Sequence, residues 1–573
     1  MRAGTELAAP RRFAPMMSLR SGPTAVRRSR WRAALPLALS LTAGSSLLGA
    51  ATASAASVSA HPAHGWDGDG YFRPGNLLVS QTQYANRAGA IVPGVTVLPP
   101  GCTSGCALAT ADAAYPQVWN NALADASFGV TSRAFLDQLT PSGRLVSVLP
   151  VPAGSRPWAG GMVTSFSSKS ELALNLSTSG RAVTFMGYVA RPESLDVSNS
   201  NTPGVIDLTN PVSGADYRVV ATVDQRGHFR FTQTNAYSGN NGRAAILNDT
   251  GGANVLYTAG NAGNGASPEP DGVITGAGAQ ILTPSRVPEW LQQPGAPTPV
   301  GSFNVTQLGD KPDKIGKDTN FRGLAIFDNA VYYTKGSGGN GVNTVYFLDT
   351  TGHGCPSGVG LPEPGATLPA SPIAYDPALL QTKGVFPYNM CVLAGFPTAL
   401  KSAMSFPFGL WFANASTLYV ADEGNGDNTY SAGTYTGAAA QTTAGLQKWV
   451  RDGGTWKLAY TLAGGLDLGV PYTVPGYPVG INAATGLPWA PATDGLRNIT
   501  GRVNQDGTVT IWAVTSTVSG NGDQGADPNK LVAITDHLAA LSPPAEAFST
   551  VRAAGFGQAL RGVSFTPGTQ ADH

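Results

Sequence analysis

The chain repeats one short pattern four times, and this repeat constrains the fold more than any single motif. Each copy has an apolar strand, a polar turn, a second strand ending in aromatic residues, and a loop rich in Gly and Asn. The four copies are Gly242–Gly265, Phe321–Gly341, Phe408–Gly426 and Leu496–Gly522. Paired strands that recur in this way are typical of a β-propeller, in which four-stranded blades surround a central channel.

The composition agrees with an all-β fold. Of 573 residues, 72 are Gly and 43 are Pro, which favours many short strands joined by turns over long helices. Only 12% of the residues are charged and the formal net charge is +1, so no bulk field favours nucleic acid or an acidic membrane as partner.

Assigning the remaining strands gives six blades, with seven as the alternative. The last strand, Gly562–Pro567, has nothing after it, whereas the first three, Asn76–Gln81, Phe135–Leu139 and Leu145–Val151, lack an innermost strand. Joining these ends would close the ring and leave no unpaired edge. We therefore predict an all-β, six-bladed propeller closed by pairing of the N- and C-terminal strands.

One stretch carries a family resemblance. Gly409–Gly426, GLWFANASTLYVADEGNG, resembles a blade of the NHL-repeat and gluconolactonase-type six-bladed propellers, which often read as an apolar triplet, a turn, LYVAD and a Gly/Asn loop. The resemblance covers about one blade well. It implies the fold but carries over no catalytic residues, since propellers host hydrolases, lyases, oxidoreductases and binding modules.

The N-terminal segment is predicted to be a bacterial-type secretory signal. The basic run Arg27–Arg32 leads into the apolar stretch Ala33–Leu48, and Ala53–Ala55 offers a cleavage site. The paired arginines leave Tat export open, and a single membrane anchor is the competing interpretation. We expect residues 1–56 to be removed on secretion and residues 57–573 to form a single propeller domain.

The four cysteines form two local pairs. They are Cys102 with Cys106 and Cys355 with Cys391. After a secretory signal, such pairs favour disulfides over a metal site.

A basic residue opens the innermost strand of five blades, and Phe408 takes that place in the sixth. The five are Lys169, Arg243, Arg322, Arg497 and Arg561. Equivalent positions in a propeller converge on the channel mouth, so these residues predict an anion-binding site. The alternative is that each pairs with a carboxylate, such as Asp318, Asp422 or Asp494, and only ties neighbouring blades together.

Acidic and amide-rich loops follow two of the second strands. Asp422, Glu423 and Asp427 lie within one of them. Close-packed oxygen ligands separated by Gly could hold Ca²⁺, although the spacing is not that of an EF-hand. The alternative is a set of turns in which Asn and Asp bond their own backbone.

The histidines argue against a Ser–His–Asp triad or a histidine-ligated metal on the loop-rich face. His228, His353 and His537 map to turns on the opposite face, and the other three lie near the ends of the chain. Any catalysis would have to come from carboxylates, Tyr, Lys and Arg.

These features predict a secreted, monomeric propeller that binds an anionic or carbohydrate ligand at the channel mouth. In its enzymatic version it would be a lyase or hydrolase acting on acidic sugars or esters, with catalytic residues that the sequence does not identify. One alternative is a non-catalytic extracellular propeller that binds another protein. Another is a metal-dependent lactonase-like or quinone-type enzyme.

Overall fold

The fold is seen in a computed structural model, which describes most of the chain beyond residue 69. The described segments are 70–84, 131–154, 160–165, 170–194, 218–234, 241–261, 278–286, 320–336, 342–370, 389–399, 405–521, 524–543 and 545–570, with short pieces between 92 and 128 and residues 237 and 308. The predicted secretory signal, Lys169, and the Cys102 and Cys106 pair lie outside the described residues.

The first blade combines both ends of the described chain. From the channel outwards, its strands are Gln558–Phe565, Leu77–Gln83, Arg133–Leu139 and Leu145–Pro150. The innermost strand comes last in the sequence and pairs antiparallel with the first one. The predicted closure of the ring is therefore confirmed.

The second and third blades follow in chain order. The second has Asn175–Leu176, Ala182–Tyr188, Arg218–Asp224 and Phe229–Thr234, and the third has Gly242–Asn248, Val255–Gly260 and Ala279–Leu282. A fourth strand of the third blade was predicted at residues 302–308, of which only Leu308 is described.

The remaining three blades complete the ring. The fourth has Phe321–Phe327, Ala330–Lys335, Thr344–Leu348 and Met390–Leu393; the fifth has Pro407–Asn414, Thr417–Asp422, Gly445–Asp452 and Thr455–Leu462; the sixth has Ala492–Val503, Thr508–Val518, Lys530–His537 and Ser549–Ala553. In the fourth blade, Val359–Gly360 adds a short parallel strand beside Met390–Leu393.

Short elements occupy the connections. They are the strands Val97–Leu98, Ala107–Leu108, Thr110–Ala111, Trp119–Asn121, Asp125–Phe128, Tyr430–Ser431 and Thr434–Tyr435, the helix Thr436–Ala439 and the 3₁₀ turn Gln524–Ala526. No helix in the described segments is long and apolar enough to cross a membrane.

The core lies between the blades. Second strands such as Ala182–Tyr188 and Thr417–Asp422 are buried along their whole length, because both of their faces pack against neighbouring blades. The outermost strand Thr455–Leu462 instead mixes buried and exposed positions. Each innermost strand contacts the next one around the channel, and the first blade contacts the second. Six blades close the ring, so the seven-bladed alternative is wrong.

A disulfide and buried ion pairs stabilise the ring. A disulfide joins Cys355 to Cys391, as predicted. Lys448 Nζ lies 3.1 Å from Asp536 Oδ2 and links the fifth blade to the sixth, with both side chains fully buried. Arg552 Nη2 lies 2.7 Å from Asp137 Oδ2 and links the sixth blade to the first.

Candidate functional site

Five innermost strands carry a β-bulge near the same end of the channel. The pairing of each strand with its neighbour shifts by a residue there. The residues at the five shifts are Arg243, Arg322–Gly323, Phe408–Gly409, Arg497–Asn498 and Arg561. A bulge bends its strand and redirects a side chain. The four predicted basic positions that the structure describes are thus positions with a special backbone.

Three of these arginines lie near one another, and two of them contact the same carboxylate. We call Arg322, Arg497 and Arg561 the arginine cluster. Arg322 Nη2 lies 3.6 Å from Glu423 Oε1, and Arg497 Nε lies 3.3 Å from Glu423 Oε2. Burial and the charges of Arg561 and Arg322 lower the pKa of Arg497, while Glu423 opposes this shift. The cluster therefore places like charges from three blades near one another.

Further contacts of the cluster reach the other blades. Arg322 Nη1 donates to Ser170 Oγ, before the second blade, and its guanidinium carbon lies 5.9 Å from the centre of the Phe408 ring. Arg561 donates to the hydroxyl of Thr82, in the first blade, and to that of Tyr84, which directly follows the same strand. The cluster thus lies at the bulges of the innermost strands.

Arg243 has different partners. Its Nε donates to Asn241 Oδ1 at 3.1 Å, and its Nη1 donates to Asn320 Oδ1 and, at 3.2 Å, to the Phe321 carbonyl oxygen. These contacts tie the third blade to the start of the fourth. Of the five predicted basic residues, the structure brings Arg322, Arg497 and Arg561 together.

The predicted calcium ligands have other contacts. Asp422 is buried and accepts hydrogen bonds from the backbone N–H groups of Phe406 and Gly424; burial raises its pKa. Asp427 accepts from the hydroxyl and N–H of Thr429, which lower the pKa of its carboxyl. Glu423 contacts the arginines. The calcium site stays a prediction, and Glu423 is the carboxylate partner that the sequence did not assign to the arginines.

Glycines just inside the channel set the approach of neighbouring blades. A Cβ atom on Gly323 would lie 2.0 Å from the Phe408 carbonyl oxygen, and one on Gly562 would lie 2.4 Å from that of Leu172. At the corresponding place in the sixth blade, Asn498 Oδ1 accepts from the Val563 N–H at 2.7 Å. The blades are therefore in backbone contact directly beneath the arginine cluster.

Sequence reasoning missed a further buried cation, Lys335, beside the arginine cluster. Lys335 ends the second strand of the fourth blade, pairs with Phe321, and is fully buried with its Nζ 3.4 Å from Asn343 Oδ1. Asp422 ends the second strand of the fifth blade in the same way, opposite Pro407. Aligning VYYTKG of the fourth blade with LYVADEG of the fifth would have revealed this lysine, because Lys335 then falls at the position of Asp422.

Comparison with known proteins gives no family. No protein-family model matches the chain. No curated protein matches it either.

Several solved structures show a distant likeness. A PL25 ulvan lyase bound to a GlcA–Rha3S segment is 12% identical, covering 83% of this chain and 96% of its own, with a TM-score of 0.27. A chain from an S. cerevisiae complex of Dbp5, Nup159 and Gle1 is 6% identical, covering 86% and 96%, with a TM-score of 0.24. An ACO/RPE65 chimera is 9% identical, covering 79% and 60%, with a TM-score of 0.19. TM-scores this low carry no conclusion about this chain.

Proposed function

We propose that this chain is a secreted propeller that binds an anionic ligand, and an acidic carbohydrate in particular, at the channel mouth. The observation that carries the proposal is the arginine cluster, in which Arg322 and Arg497 both contact the carboxylate of Glu423 and the charge of Arg561 lies close enough to lower the pKa of Arg497. Bringing these like charges together costs free energy, which a bound carboxylate or sulfate would offset.

The chemistry of the cluster suits planar anions. A guanidinium group presents forked donors that match carboxylate and sulfate oxygens, and such charge-assisted bonds are stronger than neutral ones. Glu423 forms ion pairs with Arg322 and Arg497, which limits the side-chain freedom that the two arginines would lose on binding. The cluster is thus preorganised for an anion.

Tyr84 favours an enzymatic version of this function. Its hydroxyl accepts a hydrogen bond from Arg561, which places a phenol beside the arginine cluster. In a β-elimination on an acidic sugar, the arginines would neutralise the carboxylate. Tyr84 would take the proton α to that carboxylate, and the glycosidic oxygen at the β carbon would leave with the bonding electrons and then be protonated. Tyr84→Phe should then abolish formation of unsaturated product while retaining binding.

The binding experiment compares two Arg→Lys variants. Arg497→Lys keeps the charge of the cluster but loses the fork, whereas Arg552→Lys alters an ion pair between blades away from the mouth. Uronic-acid oligomers should raise the melting temperature of the wild type, because a ligand that binds only the native state stabilises it. We expect Arg497→Lys to weaken binding by roughly tenfold and Arg552→Lys to leave it unchanged.

The outcome separates a binding site from a structural tie. If neither uronic-acid oligomers nor phosphate stabilise the wild type, and both variants merely melt earlier, then the arginines only hold the blades together. Secretion is tested separately, by sequencing the N-terminus of protein recovered from the culture medium, where we expect residues 1–56 to be missing.

A further inference from the structure

The end of the channel opposite the arginine cluster opens into a cavity of about 620 Å³. Its walls come from all six blades, and in five of them the lining residues lie beyond the bulge of the innermost strand. Each blade contributes at least one large apolar side chain, and six of these are Leu174, Ile246, Leu324, Leu410, Ile499 and Phe565. We call this space the apolar cavity. Its volume falls within the roughly 300–1,000 Å³ of small-molecule sites.

Aromatic side chains are held in place around the apolar cavity. Phe327 stacks on Phe412 with ring centroids 4.6 Å apart. The indole of Trp411 packs so closely on Gly501 that a Cβ atom there would lie 2.6 Å from the ring. Phe327 and Trp411 are nevertheless only half-buried, although both line the cavity. Apolar surface that is fixed in place and left open inside a concave site is typical of ligand-binding pockets.

The lining also contains polar side chains and two charged ones, Asp328 and Arg502. Arg502 lines the apolar cavity, and its guanidinium carbon lies 5.7 Å from the centre of the Trp512 ring. Within the described part of the chain, Arg502 makes no ion pair. A guanidinium group at an apolar site provides a specific partner for a carboxylate.

We propose that the apolar cavity binds a small amphipathic carboxylic acid, with its aliphatic or aromatic body among the six apolar residues and its carboxylate on Arg502. Burying an apolar body in the cavity removes hydrocarbon surface from water, both on the ligand and on the half-buried rings. The site is separate from the arginine cluster, which lies at the other end of the channel.

The test uses decanoate and decan-1-ol, below the concentrations at which they aggregate, with the whole mature protein. Calorimetric titration should show one saturable site for each. Ile326→Trp adds volume to the cavity wall and should weaken both by at least about tenfold. Leu458→Trp, on an outer strand away from the cavity, is the matched control and should change neither.

The contribution of Arg502 is measured by its effect on the two ligands. Arg502→Gln should weaken decanoate by roughly ten- to a hundredfold and leave decan-1-ol within about twofold, because only the acid loses a charge-assisted bond. Arg144→Gln, on an exposed turn of the first blade, should affect neither ligand.

Two results would overturn the proposal. If neither decanoate nor decan-1-ol binds saturably, the space is not a binding site, for example because another segment of this chain occupies it. Binding that survives both Ile326→Trp and Arg502→Gln unchanged would place the ligand elsewhere. Arg497→Lys should not alter decanoate binding. The proposals for the arginine cluster and for the apolar cavity can therefore fail independently.

Discussion

The two ends of the channel are built from the same innermost strands but differ in their chemistry. At one end the charges of Arg322, Arg497 and Glu423 are almost entirely buried and held by one another. At the other end Leu324 and Ile499 line open volume, and Arg502 makes no ion pair among the described residues. Buried charges require fixed partners, whereas an apolar wall tolerates a changing occupant. The arginine cluster should therefore dominate stability, and the apolar cavity should contribute little to it.

The largest expected effect comes from removing the shared carboxylate. Glu423→Gln should lower the free energy of unfolding by about 3–5 kcal/mol, because it leaves the guanidinium groups of Arg322 and Arg497 buried without the charge that both contact. Chemical denaturation measures the loss. Asp452→Asn, which breaks the exposed pair with Lys457, is the control and should give no measurable change.

The same variant also tests the anion site. Sulfate should stabilise Glu423→Gln more than it stabilises the wild type, since an anion can then take the place of the missing carboxylate. Equal stabilisation of the two proteins by sulfate would argue against anion binding at the arginine cluster.

The second prediction acts at the apolar end. Replacing Cys355 and Cys391 by Ser together should cost about 3–4 kcal/mol, because the disulfide closes a loop between residues 36 positions apart. Leu368, in that loop, lines the apolar cavity. We expect weaker decanoate binding and an unchanged response to uronic-acid oligomers. A changed response to the oligomers would mean that the two ends are coupled.

The smallest expected effect is a pH dependence at the mouth. Burial raises the pKa of Asp422 above its usual value of 3.8, so the folded state holds this proton more tightly than the unfolded chain does. Its contribution to stability is therefore present below pH 3.8 and is lost as the pH rises through the raised pKa.

Denaturation curves from about pH 3 to about pH 7 check this. The wild type should lose stability relative to Asp422→Asn as the pH rises through the raised pKa. The slope is compared rather than the absolute stability, because the amide disrupts hydrogen bonds from Phe406 and Gln447 at every pH. Parallel curves for the two proteins would contradict the assignment.

Much of the fold could be predicted from the sequence because its signals are local. Alternation, turn residues and the repeated pattern identify the strands, and the unpartnered strands at the two ends require closure. The errors concern pairing between distant segments. Val359–Gly360 adds a strand through a parallel contact with Met390–Leu393 that no local pattern indicates.

The site was less predictable, because it depends on register. The sequence identified Arg322, Arg497 and Arg561 by their place before each strand. It did not distinguish Asp422 from Glu423, since successive side chains near a strand end point in different directions and only the pairing decides which one reaches the channel. The apolar cavity went unnoticed because its lining residues look like ordinary core in any single blade.

The bulge at Arg322–Gly323 and its counterparts have one more consequence. In an uninterrupted strand, inserting or deleting one residue transfers every later side chain to the opposite face. A bulge resets that count, because two residues share one place in the ladder. The direction of the side chains after the bulge therefore does not depend on the number of residues before it. The chemistry of the channel mouth can be exchanged during evolution while every side chain of the cavity wall keeps its direction.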